Sequence, residues 1–266
     1  MLILILLWCG NALAEEIEVF AGAASKPPTE EIARLFESET GHTVRLYFGG
    51  SGSVLSQMKI AGRGDIYFPG SPDFMSRAKQ DGLVVVETEQ IVAYLVPAIN
   101  VQRGNPKGIK VLGDLGRDDV RVAIGNPRSV CVGLYAVEIV EAAGLGDEIK
   151  PRIVGYAESC EKTANLVALK AVDAVLGWRE FESWNPEKIE TVLLPPGQIP
   201  RIGYIPIAVS SLSKHVKIAE QFIEYCCSDT GKKIFEKWGY LTREEQARAY
   251  APRAALGGDY ALPEGW

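Results

Sequence analysis

The first eighty residues of the chain alternate between two hydrophobic periods. Apolar residues recur at every second position over residues 16–20 and 44–48, which predicts two strands. Elsewhere they recur three and four positions apart, which predicts helices, the first with Thr29 as its N-cap and Gly41 at its end. Strands that alternate with helices are typical of a mostly parallel, doubly wound sheet. The pattern therefore predicts an α/β fold.

Two longer apolar runs, at residues 91–99 and 203–209, interrupt this alternation. Between them a second series of strands and helices begins, so we interpret the two runs as strands that cross between two lobes. We assign residues 15–94 and 204–266 to lobe I and residues 95–203 to lobe II. Two lobes with a cleft between them are typical of proteins that close on a small ligand.

The N-terminal segment predicts export. Residues 1–7 are apolar, and residues 12–14 carry the small-x-small pattern of a signal cleavage site. The apolar run is too short to span a bilayer. We therefore interpret residues 1–14 as a signal peptide and expect a periplasmic or otherwise extracytoplasmic protein. Cys9 leaves a lipid-tethered form open.

The composition narrows the class of partner. Apolar residues make up 47% of the 266 residues, which is typical of a folded globular protein. The net charge is −6 and the sequence has no basic patch, which argues against nucleic-acid binding. An acidic protein can still bind an anion, because backbone N–H dipoles hold an anion without formal charge.

A loop of glycines and serines at residues 49–53 (GGSGS) joins the second strand to a helix expected to begin at Val54. Glycines let the backbone approach a ligand closely, and serine hydroxyls add hydrogen-bond donors. A helix N-terminus behind such a loop presents backbone N–H groups to an anion. A similar loop at residues 22–25 follows the first strand. We predict that the two loops share one small oxyanion.

The same loops lack the residues that a reaction would need. No Gly-Lys-Ser/Thr follows the glycines, which excludes a nucleotide-binding P-loop. Residues 49–53 lack the second glycine of the nucleophile elbow found in hydrolases. A serine nucleophile would also need a general base, and both histidines, His42 and His215, are predicted to lie on the surface. We expect no catalytic residue, no bound cation and no cofactor. Neither loop carries Asp or Glu, and a site made only of donors suits a fully ionised dianion.

Six segments of the chain carry a wider resemblance, and they are VFAGAAS at residues 19–25, GGSGSVLSQM at 49–58, GDIYFPGS at 64–71, GNPRSVCVGLYA at 125–136, DAVLGW at 173–178 and GKKIFEKWGY at 231–240. Together and in this order, they resemble the molybdate/tungstate-binding proteins of bacterial and archaeal ABC importers. Those proteins are class II periplasmic binding proteins. The likeness covers nearly the whole mature chain.

The resemblance implies a two-lobe α/β fold of the periplasmic binding protein type II, with doubly wound sheets and two crossover hinge strands. It implies an extracytoplasmic solute-binding protein that captures a tetrahedral oxyanion, molybdate or tungstate, and delivers it to the membrane permease of an ABC importer. We expect a monomer. The alternatives are a binder of sulfate, chromate or phosphate, an exported enzyme on the same fold, and a structural module.

The resemblance also implies ligand-binding residues in lobe I. The first serine of the family falls on Ala24 in this chain, with Ser25 one position further on. The second serine falls on Ser51, and Gly52 and Gly70 are further expected ligand-binding positions. These five positions form the lobe I half of the predicted site.

In lobe II the resemblance implies two amide-donating loops and one aromatic residue. The loops fall at Cys131 and Val132 and at Cys160, and a tyrosine that caps the anion in the family falls on Trp178. The two cysteines would face the cleft from the same lobe, and an exported compartment permits a disulfide between them. The other interpretation is two buried free thiols. Direct thiolate ligation of an oxyanion is disfavoured, because both groups are negative.

The disulfide hypothesis predicts the number of reactive thiols. With Cys9 removed, the mature chain has four cysteines, Cys131, Cys160, Cys226 and Cys227. If Cys131 and Cys160 are bonded, denaturation without a reductant should expose two thiols to a chromogenic thiol reagent. Four reactive thiols under the same conditions would contradict the hypothesis.

Overall fold

The structure, a computed structural model, describes residues 14–266. The expected signal peptide, except for its last residue, lies outside the described residues, as does Cys9. From residue 16 onward strands and helices alternate as predicted. The first part of lobe I consists of β1 (Glu16–Gly22), α1 (Lys26–Thr40), β2 (Thr43–Gly49), α2 (Ser51–Ala61), β3 (Ile66–Phe68), α3 (Pro72–Gln80) and β4 (Gln90–Leu95).

Lobe II begins one residue after β4 and has a five-stranded sheet of its own. The strand order is β7-β6-β8-β5-β9, with β6 parallel to both of its neighbours and β5 antiparallel to both of its own. The elements are β5 (Pro97–Gln102), β6 (Val122–Gly125), α4 (Cys131–Ala142), α5 (Gly146–Ile149), β7 (Ile153–Ala157), α6 (Cys160–Ala168), β8 (Ala174–Trp178), α7 (Phe181–Trp184) and β9 (Ile189–Leu193).

The chain then returns to lobe I through a nine-residue strand that pairs antiparallel with both β4 and β3. The lobe I sheet has the order β11-β10-β3-β1-β2, with β4 beside β10. The two predicted crossings are therefore the β4–β5 connection and β10. The last elements are β10 (Arg201–Val209), α8 (Val216–Cys227), α9 (Asp229–Lys237), α10 (Glu244–Arg248) and β11 (Ala255–Leu256).

Two helices begin earlier than the hydrophobic pattern predicts. Helix α1 starts at Lys26 rather than after Thr29, because prolines are tolerated in a first turn where no N–H partner is required. Helix α2 starts at Ser51 rather than at Val54, so the serine lies in the first helical turn and not in a loop. The predicted helix end at Gly41 is confirmed by its left-handed φ of 76°.

The C-terminal segment differs from its assignment to lobe I. Helices α8 and α9 pack in lobe I, but Ala247, Ala251 and Trp266 are buried in the cluster that also contains Ile124 and Val137 of lobe II. The indole N–H of Trp266 donates to a carboxylate on α4 at 2.8 Å. The physical reason is that apolar residues of α4, such as Val137 and Val140, are buried in one cluster with the apolar residues of the C-terminal segment.

A buried carboxyl lies at the boundary between the lobes, directly after β8. The side chain of Glu180 is fully buried, and its nearest charge is the guanidinium of Arg179, 3.3 Å away. Arg179 also donates to the carbonyl of Gly239 at the end of the last lobe I helix. Burial raises the pKa of Glu180 to about 7, although Arg179 acts in the opposite direction.

Among residues 14–266, none of the helices combines the length and the hydropathy that a membrane span requires.

Glu180→Gln should therefore change how stability depends on pH. In the wild type the unfolded carboxyl ionises near pH 4.5 while the folded one stays protonated to about pH 7, so the free energy of unfolding falls across this window as pH rises. The variant has no carboxyl group at this position, so its free energy of unfolding does not fall for this reason. Its free energy of unfolding relative to the wild type should rise by about 3 kcal/mol between pH 4 and pH 8 in urea titrations. The exposed Glu187→Gln variant is the control, and a parallel pair of profiles for E180Q and wild type would contradict the assignment.

Candidate functional site

The two lobes meet along a seam of close backbone contacts. The N–H of Gly52 in lobe I donates to the carbonyl of Ser129 in lobe II at 2.9 Å. A Cβ added to Gly50 would lie 2.7 Å from the carbonyl oxygen of Glu158 and 2.8 Å from that of Ser129. Glycine at this position is therefore required for the lobes to approach. The sequence suggested glycines that approach a ligand, and the structure shows a glycine that approaches the opposite lobe.

Three helices begin at this seam. Helix α2 begins at Ser51, α4 at Cys131 and α6 at Cys160, and α6 also packs against the 23–25 turn that precedes α1. The first-turn N–H groups of a helix have no intrahelical acceptor, and they carry a partial positive charge. Their convergence from both lobes makes the seam suitable for an anion.

The structure brings Ser51 and Gly70 together. Ser51 is 1% exposed, and its Oγ accepts a hydrogen bond from the N–H of Gly70 at 3.0 Å. A Cβ on Gly22 would lie 2.7 Å from the same oxygen, so the first lobe I loop borders it as well. The hydroxyl of Ser51 is thus placed among backbone groups of two neighbouring loops.

Ala24 and Ser25 play different parts in the structure. The methyl group of Ala24 lies against Gly70, where an added Cβ would approach it to 2.6 Å. Ser25 is fully buried, but its hydroxyl donates weakly to the carbonyl of Gly22 at 3.5 Å, within its own turn. The structure therefore places Ala24 directly at the seam and turns the hydroxyl of Ser25 towards the preceding loop.

Two tyrosines that sequence reasoning did not single out hold these loops in place. Tyr67 on β3 donates its hydroxyl to the carbonyl of Ser51 at 2.9 Å, and Tyr240 after α9 donates to the carbonyl of Ala24. Both rings are buried. A buried phenol needs a hydrogen-bond partner. A tyrosine within the short apolar strand β3 was the available signal in the sequence.

Cys131 and Cys160 lie side by side as free thiols in this structure. Their sulfurs are 3.4 Å apart, whereas a disulfide bond is about 2.05 Å long. The disulfide is therefore not formed here, and the pairing stays a hypothesis. Burial raises the pKa of the Cys131 thiol well above its usual range, and the neighbouring Cys160 adds to this effect. Val132, the next predicted residue, is 1% exposed on the same helix, next to Gly125.

Trp178 closes the lobe II side of the seam. It is the last residue of β8, is fully buried, and meets the ring of Tyr135 edge-on at 4.9 Å between centroids. Its indole N–H has no hydrogen-bond partner within residues 14–266. Burial raises the pKa of the Cys131 thiol, and this N–H and the hydroxyl of Ser51 act in the opposite direction. The donors of Trp178 and Ser51 therefore both lie near the sulfur of Cys131.

The acidic residues near the predicted loops point elsewhere. The side chain of Glu158 is 78% exposed and pairs with Lys162. Asp73 accepts hydrogen bonds from Arg201 at 2.8 Å and from the N–H of Tyr260 at 3.0 Å. Neither carboxylate is hydrogen-bonded to the hydroxyl of Ser51, whose partner is the N–H of Gly70.

Arg201 is a buried cation that joins the two lobes, and sequence reasoning missed it. It is 4% exposed and pairs with Asp73 of lobe I and Glu138 of lobe II, each at 2.8 Å. Its guanidinium lies 4.1 Å from the ring centroid of Tyr135, which in turn contacts Trp178. An arginine at the start of an otherwise apolar crossing strand was the signal in the sequence.

A cavity of about 430 Å³ opens beside Gly52 at the edge of the seam. Its lining includes Arg77 from lobe I and Arg128 from lobe II. The guanidinium of Arg77 donates to the carbonyl of Arg128 at 3.3 Å. Two cations at this edge favour the approach of an anion.

A known protein family matches most of the chain. The family described as bacterial extracellular solute-binding protein matches residues 17–241. The molybdate-binding protein ModA of Rhodobacter capsulatus is 24% identical over 245 residues, which cover 87% of this chain and 90% of that protein.

Solved structures share the fold. The periplasmic molybdate-binding protein of Azotobacter vinelandii has a TM-score of 0.75 at 20% identity, covering 86% of this chain and 100% of that one. The sulfate-binding protein SubI from Mycobacterium tuberculosis H37Rv has a TM-score of 0.77 at 16% identity, covering 91% and 94%. These likenesses confirm the predicted two-lobe fold. The relatives are binding proteins, so the expectation of a binding protein rather than an enzyme is also confirmed.

Gly50→Ala is expected to separate the lobes at the seam without disturbing lobe I. The backbone of Gly50 has φ −63° and ψ 141°, which alanine adopts readily. The added methyl group would overlap two carbonyls of lobe II, and overpacking of this kind costs about 1–3 kcal/mol. The N–H of Gly52 is at the second helical position and has Ser129 as its acceptor. Its hydrogen exchange, measured by NMR, should therefore become roughly tenfold faster or more.

Gly155→Ala is the matched control for this experiment. Gly155 lies on β7, and nothing lies within 4 Å of a Cβ added there. The Gly52 amide should exchange at the wild-type rate in this variant. Equal rates in G50A and wild type would contradict the seam geometry.

Proposed function

Because this chain belongs to the bacterial extracellular solute-binding proteins, we propose that it captures a tetrahedral oxyanion, molybdate or tungstate, and delivers it to the permease of an ABC importer. In this proposal residues 1–14 are a signal peptide, and the mature protein acts outside the cytoplasmic membrane as a monomer. The molybdate-binding relative from Rhodobacter capsulatus supports the choice of ligand class.

The observation that carries the proposal is the convergence of donors at the seam. The hydroxyl of Ser51, the N–H of Gly70 and the first turns of α2, α4 and α6 meet where the lobes touch. Each hydrogen bond from such a donor to a charged ligand contributes about 1.5–3 kcal/mol. Several of them, supplied by both lobes, can offset the cost of ordering and closing the protein around the ligand.

The charge of the ligand follows from what surrounds Ser51. Glu158 is exposed and paired with Lys162, and one carboxylate oxygen of Asp73 is bonded to Arg201, so neither carboxylate is hydrogen-bonded to Ser51. A protonated anion such as hydrogen phosphate would leave its O–H without an acceptor, which costs free energy in a buried site. A fully ionised dianion carries acceptors only, which the hydroxyl of Ser51 and the first-turn N–H groups match. Sulfate, which the neighbour SubI binds, is the second candidate because it has the same charge and shape as molybdate.

The mechanism is capture and closure without a chemical step. In the open form, lobe I presents Ser51 and the N-terminus of α2 to the anion. The lobes then close about the β4–β5 connection and β10, which brings the first turns of α4 and α6 onto the opposite side of the anion. The hydroxyl of Ser51, which accepts from Gly70 in the structure, still has its own proton to donate to the ligand. The closed form is the one that docks on the permease.

Ser51→Ala should weaken binding of the cognate dianion by about tenfold or more, which corresponds to about 1.4 kcal/mol. The reason is the loss of one charge-assisted hydrogen bond in a buried site. Calorimetry of the wild type against molybdate, tungstate, chromate, sulfate and phosphate identifies the dianion first, and hydrogen phosphate should bind most weakly. The variant is then titrated with the tightest ligand, and its fold is checked by circular dichroism.

Ser53→Ala is the control, because Ser53 lies on the same first turn of α2 but lines the cavity of about 430 Å³ at the edge of the seam. It should keep the wild-type affinity. An unchanged affinity in S51A would remove Ser51 from the site, and tighter binding of phosphate than of molybdate would contradict the donor-only argument.

A further inference from the structure

The lobe II wall of the seam contains a pair of thiols held by two different elements. Cys131 begins α4 and Cys160 begins α6, so their positions are fixed by two helices. Their side chains are buried, with 1% and 2% of the surface exposed, and their sulfurs lie 3.4 Å apart. The oxyanion proposal uses only the backbone N–H groups of these residues. It gives the two sulfurs no role.

Two free thiols fit a ligand of different chemistry from a dianion. Burial raises the pKa of the Cys131 thiol, so it carries its proton in the folded protein at neutral pH. A sulfur is a soft ligand, whereas the oxygens of a tetrahedral dianion are hard. An uncharged hydroxide of an element that binds sulfur would not be repelled by the thiols as an anion would be. Because it carries no charge, it would also need no charged partner in the site.

The distance between the sulfurs indicates the bond angle at an atom that would bind both of them. Two sulfurs bound at about 2.3 Å, the length of a zinc–thiolate bond, lie about 3.4 Å apart at a bond angle of about 95° and about 4.6 Å apart in a linear arrangement. The observed 3.4 Å matches the pyramidal case. A tetrahedral metal would need further ligands, and residues 14–266 contain no group of three or more His, Cys, Asp or Glu that could hold a metal ion.

Two further groups are placed to bind the remainder of such a ligand. The indole N–H of Trp178 is fully buried and has no hydrogen-bond partner in the described chain. A Cβ added to Gly70 would lie 2.7 Å from the sulfur of Cys131 and 3.6 Å from the hydroxyl oxygen of Ser51, so Ser51 borders this sulfur from the opposite lobe. A hydroxyl left on the bound centre could accept from either donor when the lobes close.

We infer that Cys131 and Cys160 form a binding site for trivalent arsenic hydroxide, as the representative of neutral thiophilic hydroxides. The step is a condensation without redox change. Two S–H bonds and two As–OH bonds break, two As–S bonds form, and each thiol proton leaves with a hydroxide as water. Arsenic stays trivalent and keeps one hydroxyl, which faces Trp178 and Ser51. This inference does not depend on the identity of the dianion, because it uses the sulfurs and not the anion donors.

The experiment adds sodium arsenite to the full-length mature protein that has been reduced with a phosphine, since a dithiol reductant would compete for arsenic. Native mass spectrometry should show one added arsenic hydroxide less two water molecules per chain. Titration followed by tryptophan fluorescence gives the affinity. Cys131→Ser and Cys160→Ser should each weaken binding about 100-fold or more, because two-point attachment becomes one-point attachment.

The double variant Cys226→Ser with Cys227→Ser is the matched control, because it removes the other two thiols, which lie on α8 away from the seam. It should retain the mass increment and the affinity. Loss of the increment in this control, or its survival in C131S, would overturn the inference. Absence of the increment in the reduced wild type would also overturn it, even if a cysteine variant fails to fold.

The two proposals fail separately. Oxidation of the wild type to a Cys131–Cys160 disulfide should abolish arsenic binding, and the phosphine should restore it. Arsenic binding that persists in the protein with this bond formed would contradict the site. Calorimetry with molybdate on the same wild-type sample tests the oxyanion proposal independently, so arsenic failure beside molybdate binding rejects only the thiol site.

Discussion

The first-turn N–H groups of three helices, which lack intrahelical acceptors, are the constraint on which this structure depends. Helices α2, α4 and α6 all direct these groups to one seam between the lobes. The lobes can meet there because Gly50 has no side chain where the carbonyls of Ser129 and Glu158 approach. The close backbone contact between the lobes therefore occurs at the same place where the first-turn N–H groups are concentrated. A ligand that accepts many hydrogen bonds is what such a seam can hold.

A buried cation couples the arrangement of the lobes to the same place. A guanidinium removed from water is stable only when its charge is paired, and Arg201 takes its partners from both lobes, Asp73 on one side and Glu138 on the other. Separation of the lobes would weaken one of these pairs. The ring of Tyr135 connects the guanidinium to Trp178, so the tie between the lobes is in direct contact with the wall of the site.

The two walls of the seam differ in chemistry. The lobe I wall presents the hydroxyl of Ser51, which accepts from the N–H of Gly70 and suits hard oxygen ligands. The lobe II wall adds the sulfurs of Cys131 and Cys160 and the buried indole of Trp178 to its backbone donors. The fold is shared with binding proteins for molybdate and for sulfate, so the fold alone does not determine a ligand.

The sequence by itself determined the alternation of strands and helices and the two crossings, because hydrophobic periodicity is a local property, and its loop composition made Ser51 a candidate. It placed the start of α2 three residues too late, since polar first-turn residues carry no hydrophobic period. It also missed Tyr67, Tyr240 and Arg201. Only the tertiary structure decided these roles, because each depends on a partner distant in the chain. The distance of 3.4 Å between the sulfurs of Cys131 and Cys160 also depends on the tertiary structure, because the two residues are 29 positions apart and begin two different helices.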